Sequence, residues 1–369
     1  MKTVGRTCVL SKRWKHVWTY LADLDFNDPE TCCAQLNLTC YAQPEMAKFG
    51  DRVNRVIIAN RATYLDTFRI QFPLSTSYAA HIHNWLKFVF DKQVGNLDLD
   101  FKAINHPTID ILNIYINPSL ILNTTLKSLH LRSVTLKGPL LQWVLTNCLN
   151  LQRLSLHHCK ASAVDDSSTP HQKLVVSSLQ LKHLESFNSL KLLNINVLHL
   201  SAPNLTSFIF YESEIHVEYL SVPSLVEATF GRLYSHHIFH DLDSLSTFSS
   251  QLEKLSIWHV RQYVEGPRQS LGPKDAQIKA ISSHQHLKVV EYLGYTGWAS
   301  AAEFALCLTQ HAPMLRRFVF DTRQPKYVGK AREVYTSDRR DQMDSVRRTT
   351  ELLAKQLRWR QNHVVVVIL

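Results

Sequence analysis

The sequence predicts an α/β solenoid in which short strands and helices alternate along the chain. Two observations lead to this fold class. A pattern of apolar-x-x-apolar-x-apolar recurs at intervals of 15 to 39 residues, and amphipathic helical stretches lie between several of its copies. The composition, 45% hydrophobic and 20% charged in 369 residues, is that of a globular protein and excludes wholesale disorder.

The repeated pattern has the cadence of leucine-rich repeats. Its last two apolar residues are two positions apart, so they lie on the same face of a short strand and point into the core. The leading apolar residue helps to close the turn beneath the strand, and no single repeat can bury its face without neighbours. The first apolar residues of the ten predicted repeats are Leu65, Val94, Leu126, Leu151, Leu190, Leu205, Leu225, Leu252, Leu287 and Leu315. Among the strand residues we expect burial of Leu129, Leu131, Leu154, Leu156, Leu255 and Ile257.

Two segments between repeats are predicted to be helices. Residues 138–148 carry leucine and valine at i, i+3 and i+4 spacing behind Pro139, and residues 301–311 form an apolar stretch that ends before Pro313. Cys159 follows a repeat strand where such repeats often carry Asn or Cys, so we interpret it as a structural residue.

Both ends of the chain differ from the repeats. Leu10, Trp14 and Trp18 lie on one face of a predicted N-terminal helix, and residues 23–27 alternate as a short strand. Near the other end, residues 343–357 have the spacing of a basic amphipathic helix, and residues 364–369 form an apolar run that predicts a last buried strand.

The N-terminal segment R-T-C-V-L-S-K-R-W-K-H-V-W (residues 6–18) and the following L-D-F-N-D (24–28) resemble the second half of a plant F-box domain and its exit into repeats. Residues 49–56 and 65–70 are similar to the first repeat region of plant F-box/LRR proteins. Residues 287–320 are similar to the C-terminal part of that family, including members with an FBD module. The resemblance implies three parts: a partial F-box-like segment (1–28), a horseshoe of leucine-rich repeats (29–320), and a basic C-terminal helix with a terminal strand (321–369).

The resemblance also implies a function. In this family the F-box docks on a Skp-type adaptor, and the repeats hold a protein substrate for ubiquitination. Leu10, Trp14 and Trp18 would then face the adaptor. The L-P-x-x-[IL] segment that opens the family's F-box has no counterpart after Met1. We therefore keep two hypotheses: a substrate-recognition subunit of an SCF-type ubiquitin ligase, and a repeat-only scaffold that binds a partner without recruiting the ligase.

The charge distribution and the cysteine content indicate which partners and which cellular compartment to expect. The net charge of +10 comes largely from residues 316–360, which contain 13 Lys and Arg but only 6 Asp and Glu. A solvated basic helix explains this better than nucleic-acid binding. Seven scattered cysteines without a C-x-x-C pair predict reduced thiols in the cytoplasm or nucleus, and we expect neither a membrane span nor a secretory signal.

The sequence contains no motif of an enzyme or of a cofactor site, so we expect a binding protein without catalytic residues or cofactor. His236, His237 and His240 form H-H-x-x-H, but no cysteine or acidic ligand set accompanies them, so we predict no metal site. Aromatic residues that follow strand ends are favoured binding anchors. We accordingly predict partner contacts at Tyr211, Tyr219, Tyr234 and Trp258, with burial as core cover the alternative at Tyr219 and Trp258.

Overall fold

The computed structural model divides the chain into two compact units, Met1–His199 (unit 1) and Leu200–Leu369 (unit 2). The residues that the structure describes are 17–27, 43–72, 74, 76–101, 125–136, 140–161, 172–212, 215–231, 251–258, 284–295, 299–322, 347–348, 350–357 and 363–369.

Unit 1 contains a parallel sheet of repeat strands, each five residues long and paired with the next without a register shift. In spatial order they are β1 (Asp23–Asn27), β2 (Thr67–Gln71), β3 (Asn96–Asp100), β4 (Ser128–Arg132), β6 (Arg153–His157) and β9 (His183–Phe187). The second and fourth positions of every strand are buried, as the apolar pattern predicts, while the first, third and fifth positions lie on the opposite face.

The turn after three of these strands passes through a left-handed backbone conformation. Ser133, His158 and Asn188 directly follow β4, β6 and β9, and their φ angles are 56°, 52° and 51°. Two of these turns lead into the short paired strands β5 (Thr135–Leu136) and β7 (Lys160–Ala161). Cys159 lies here with no exposed surface, and its thiol contacts the Leu131 carbonyl at 3.4 Å, so its interpretation as a structural residue is confirmed.

Helices cover the buried side of the unit 1 sheet. They are α1 (Gln43–Ala59), α2 (Ala79–Asp91) and α3 (Leu140–Asn147), the last as predicted. The Phe49 ring of α1 stacks on Phe72 at 4.2 Å, and the Trp85 indole N–H of α2 donates to Asn54 Oδ1 at 2.6 Å. From α3, the Gln142 amide exchanges two hydrogen bonds with the backbone of Val175 in β8 (Gln172–Ser177).

Unit 2 repeats the same arrangement. Its parallel strands are β11 (Ser207–Tyr211), β13 (Glu227–Gly231), β14 (Lys254–Trp258), β15 (Val289–Leu293), β16 (Arg317–Asp321) and β17 (Val365–Ile368), paired in that order. Helix α4 (Ala299–His311) confirms the second predicted helix. Residues 350–357 are helical, and Thr350, Leu353 and Leu357 are buried as the C-terminal pattern predicts. The chain also forms β10 (Ile195–Ser201) and β12 (His216–Ser221).

The six repeat residues expected in the core are all at most 5% exposed, so that prediction is confirmed. The terminal strand is confirmed as well, although only one face of it is buried: Val366 is 3% exposed and Val365 60%.

One predicted repeat was wrong. Leu190 and Leu193 belong to a turn that includes the 3₁₀ segment Lys191–Leu193, and Ile195 opens β10 instead of ending a repeat strand. The repeat strand here is β9, whose pattern begins at Leu181 and continues through Leu184 to Ser186. Ser186 is 3% exposed and takes the position of the expected apolar residue.

The N-terminal segment is held against the first repeats where the structure describes it. Val17–Tyr20 is a 3₁₀ turn, the Asn60 side-chain amide donates to the Leu21 carbonyl at 3.0 Å, and Leu24 of β1 is fully buried. Trp18 is half-buried, while Leu10 and Trp14 lie outside the described residues. Over the described ranges, none of the helices has the length and apolar character needed to cross a membrane.

Candidate protein-binding face

The outward side of the unit 1 sheet, which we call the polar face, carries side chains in registered columns. Because the strands pair without a shift, each outward position lies beside its equivalent in the next repeat. The middle column is Asp25, Arg69, Asp98, His130, Ser155 and Glu185, and the last column is Asn27, Gln71, Asp100, Arg132, His157 and Phe187.

Across β2, β3 and β4 the polar face is organised by two carboxylates. Asp98 lies 2.9 Å from Arg69 Nε, and Asp100 lies 3.4 Å from Arg132 Nη1 and also accepts from the Gln71 amide at 3.5 Å. Burial raises the pKa of Asp98 and outweighs the attraction of His130 and Arg69, which acts in the opposite direction. Each carboxylate thus has an arginine beside it on the face.

A second cluster joins β6 and β9. The Ser155 hydroxyl donates to Glu185 Oε2 at 2.7 Å, and His157 Nε2 lies 3.1 Å from Glu185 Oε1 and 3.1 Å from Ser155 Oγ. Burial by itself would raise the pKa of Glu185, but the hydrogen bonds from His157 and Ser155, together with the charge of His157, lower it. The Glu185 carboxylate is therefore held in its ionised form.

Serine, histidine and a carboxylate also make up hydrolase triads, but the geometry here differs. In a triad the two imidazole nitrogens divide the work, one facing the serine and the other facing the carboxylate. Here the same nitrogen of His157 faces both groups, and the serine hydroxyl already donates to the carboxylate. The serine proton is thus directed at the carboxylate, and the imidazole does not link the two groups as it does in a triad.

Aromatic and imidazole rings lie side by side above this cluster. The ring of His157 is 5.2 Å from that of His130 and stacks on Phe187 at 5.6 Å with an interplanar angle of 11°. His158 meets the Phe187 ring edge-to-face, with the ring centroids 5.5 Å apart. Burial lowers the pKa of His130 although the neighbouring Asp98 carboxylate acts in the opposite direction. The lowered pKa favours the neutral imidazole. The four rings, which we call the ring platform, are half-buried and preordered.

The aromatic residues predicted to contact a partner are placed as follows. In unit 2, Tyr211 is only 4% exposed and meets half-buried Trp258 edge-to-face at 5.7 Å. The Tyr211 ring occupies the space beside Gly231, where an added Cβ would lie 2.0 Å from Tyr211 Cδ2. Tyr219 is in β12, but its side chain lies outside the described residues, as does all of Tyr234. Of the two side chains that the structure describes, Tyr211 and Trp258, the tryptophan is the more exposed.

No cofactor chemistry emerges from the described side chains. Among them, no group of three His, Cys, Asp or Glu is disposed to hold a metal ion, and His236, His237 and His240 lie outside the described residues. Cys148, Cys159 and Cys307 are buried free thiols. Burial raises the pKa of Cys148 to about 11, which makes its thiol a poor nucleophile at neutral pH.

The sequence analysis does not predict the polar face, because it selects candidate contacts by their aromatic character. A signal was present: aligning the repeats that begin at Leu126 and Leu151 places His130 directly beside Ser155. Glu185 could not be placed in the same way, because its repeat has Ser186 where the pattern requires an apolar residue and was therefore not recognised.

Comparison with known proteins agrees with this architecture. The chain is a leucine-rich-repeat protein: a family described as At1g61320/AtMIF1, LRR domain, matches residues 57–271, and the chain belongs to this family. It is 28% identical over 236 residues to the putative F-box protein At1g49610 of Arabidopsis thaliana, which covers 60% of this chain and 54% of that protein.

Two further relatives from Arabidopsis thaliana carry repeat names. The chain is 24% identical over 235 residues to F-box/LRR-repeat protein 25, covering 59% of this chain and 80% of that protein. It is also 24% identical over 246 residues to F-box/FBD/LRR-repeat protein At1g13570, covering 62% and 56%. The predicted resemblance to plant F-box/LRR and FBD proteins is thus confirmed. The matched region spans about half the length of the first relatives.

Proposed function

We propose that this chain is the substrate-recognition subunit of an SCF-type ubiquitin ligase and binds a protein target through its leucine-rich repeats, without an active site of its own. The observation that carries the proposal is the stacked repeat array, whose outward side chains are fixed in columns, in a chain related to F-box/LRR-repeat proteins. Repeat arrays present such columns to partners as extended binding surfaces.

The ring platform is the proposed centre of target binding. Aromatic side chains are frequent hot spots of protein interfaces, and a surface whose side chains are already ordered loses less entropy on binding. Phe187 supplies the apolar contact, while the imidazoles of His130 and His157 supply polar contacts beside it. Trp258 in unit 2 is proposed as a further partner contact.

Leu10, Trp14 and Trp18 are the proposed contacts to a Skp-type adaptor. A direct test is co-expression of the full chain with a plant Skp-type adaptor, followed by size-exclusion chromatography. We expect a stoichiometric complex that Trp14→Ala weakens and Tyr64→Ala, at an exposed position before β2, leaves intact. Absence of a complex at micromolar protein would refute the ligase assignment.

A second candidate is a repeat-only scaffold that binds a protein partner without recruiting the ligase. It is favoured by the family match, which covers residues 57–271 and therefore repeats alone. Under this reading the target binds but the adaptor does not.

Target binding is tested by proximity labelling in plant cells with proteasome inhibition. Wild-type chain is compared with the double variant His157→Ala/Phe187→Ala and with the control Tyr64→Ala. We expect a set of labelled proteins that is lost in the double variant and retained in the control. If the double variant labels the same proteins, the polar face is not the target site.

A further inference from the structure

The turns that precede β4, β6 and β9 form a continuous rim of unit 1, which we call the basal edge (residues 125–127, 149–152 and 179–182). The Gln152 N–H donates to the Lys127 carbonyl at 2.8 Å, and the Lys182 N–H donates to the Gln152 carbonyl at 2.8 Å. These bonds continue the parallel ladder below the strands, so the turns stack about 4.8 Å apart, as neighbouring strands do.

Two leucines of the basal edge are exposed in equivalent positions. Leu149 is 72% and Leu179 is 70% exposed, and each lies two residues before the buried leading leucine of its repeat, Leu151 or Leu181. Their separation of 30 residues equals the register between β6 and β9. Single exposed leucines are ordinary, but two in the same register form a small apolar strip.

Cations surround this strip. Lys127, Arg153 and Lys182 are exposed at or beside the first residues of β4, β6 and β9. Within the described part of the chain, neither Lys127 nor Arg153 forms an ion pair with a carboxylate. The uncharged Asn150 and Gln180 occupy the positions next to the two leucines. The basal edge therefore combines apolar surface with exposed cations, and two of these, Lys127 and Arg153, have no carboxylate partner among the residues that the structure describes.

We propose that the basal edge binds an acidic segment of a protein partner. Two apolar side chains of that segment cover Leu149 and Leu179, and its carboxylates face Lys127 and Arg153. Charge complementarity of this kind steers association and selects the partner. A strip only two side chains wide fits a peptide segment better than a lipid surface, which needs a broad apolar face. This surface borders the polar face at Arg153, the first residue of β6, but includes none of the four rings of the ring platform, so its test does not depend on the proposed ligase role.

The test uses the full chain as bait for phage-displayed random dodecapeptides, and the selected peptides are then synthesised with a fluorescent label. We expect selected peptides to combine Asp or Glu with apolar residues. In fluorescence anisotropy, Leu149→Ser/Leu179→Ser should weaken binding at least tenfold. Lys127→Glu/Arg153→Glu should also weaken binding at least tenfold. This second variant keeps the proposal testable if the leucine variant does not fold. The matched control Leu192→Ser removes a 49% exposed leucine from another turn and should leave affinity unchanged.

Three outcomes would overturn the proposal: no selected peptides, selected peptides without acidic residues, or double variants that both bind the peptides as tightly as the wild-type chain does. A fourth is binding to phosphatidylserine vesicles that both double variants abolish while no peptide binds, since this would assign the edge to a membrane surface. Raising the salt concentration should weaken the wild-type complex, because the proposed attraction is electrostatic.

Discussion

The substitution Gly231→Ala adds one methyl group at a closely packed position of unit 2 and so tests that packing. A Cβ at this residue would lie 2.0 Å from Cδ2 and 2.5 Å from Cε2 of Tyr211, well inside van der Waals contact. Tyr211 is 4% exposed and rests edge-to-face against Trp258, so its ring has little space into which to move. Gly231→Ala therefore forces a rearrangement of the tyrosine.

The expected cost is about 1–3 kcal/mol of unfolding free energy, the usual range for overpacking a filled site. The cost should depend on the tyrosine ring. In a Tyr211→Ala background the clash is absent, and a glycine-to-alanine change at extended backbone is neutral or stabilising by about 0.4–1 kcal/mol. The two substitutions should thus be coupled by at least about 1 kcal/mol.

Urea denaturation of the four proteins of this double-mutant cycle, followed by tryptophan fluorescence and by hydrogen exchange of residues 207–211, measures the coupling. Gly50→Ala in α1 is the matched control, because its added Cβ would lie 3.2 Å from a Tyr78 ring atom and alanine favours helix. Equal destabilisation by Gly231→Ala with and without the Tyr211 ring would refute the reasoning, as would a cost no larger than that of the control.

Three other changes have expected outcomes. Leu154→Ala empties a 1% exposed repeat position and should cost about 2–5 kcal/mol in urea denaturation, whereas a cost below 1 kcal/mol would show that the repeat core is loosely packed. Ser133→Gly relieves a positive φ of 56° and should raise stability by about 1 kcal/mol or less in calorimetry, and a loss of stability would contradict the turn geometry. The pKa of Glu185 is lowered from 4.5, so its ionised form stabilises the fold above that pH, and this contribution is lost as the pH falls below it. Glu185→Gln should therefore lower stability at pH 7 and flatten its decline on acidification, while an unchanged pH profile of unfolding would argue against the His157–Glu185 contact.

The repeat architecture was predictable because the residues that form the core also produce the sequence pattern. Each buried pair such as Leu129 and Leu131 appears in the sequence as two apolar residues two positions apart, behind a leading apolar residue that closes the turn. The strand Asp23–Asn27 and the helix Leu140–Asn147 were predicted for the same reason, since burial of one face imposes a period on the chain.

The errors arose where burial did not require an apolar residue. Ser186 is small enough to be buried at 3% exposure, so the repeat that contains β9 lacks its last apolar residue and does not match the pattern. Leu190 and Leu193 are buried in the turn that follows, and their spacing matches the pattern although they are not part of a repeat strand. An apolar pattern reports burial but not whether the backbone at that point is strand or turn.

The candidate site was less predictable, because its side chains lie at the positions that the core leaves free. No period or spacing selects histidine at 130 or 157, and their proximity follows only once the register between β4, β6 and β9 is known. A one-residue error in that register would exchange the outward and inward positions. The same fact makes the site testable: because the buried leucines fix the register, an outward residue can be replaced without a change in strand pairing. Loss of partner binding in His157→Ala/Phe187→Ala with unchanged unfolding free energy would therefore report on the contact itself, whereas loss of both together would place these rings in the fold and not in recognition.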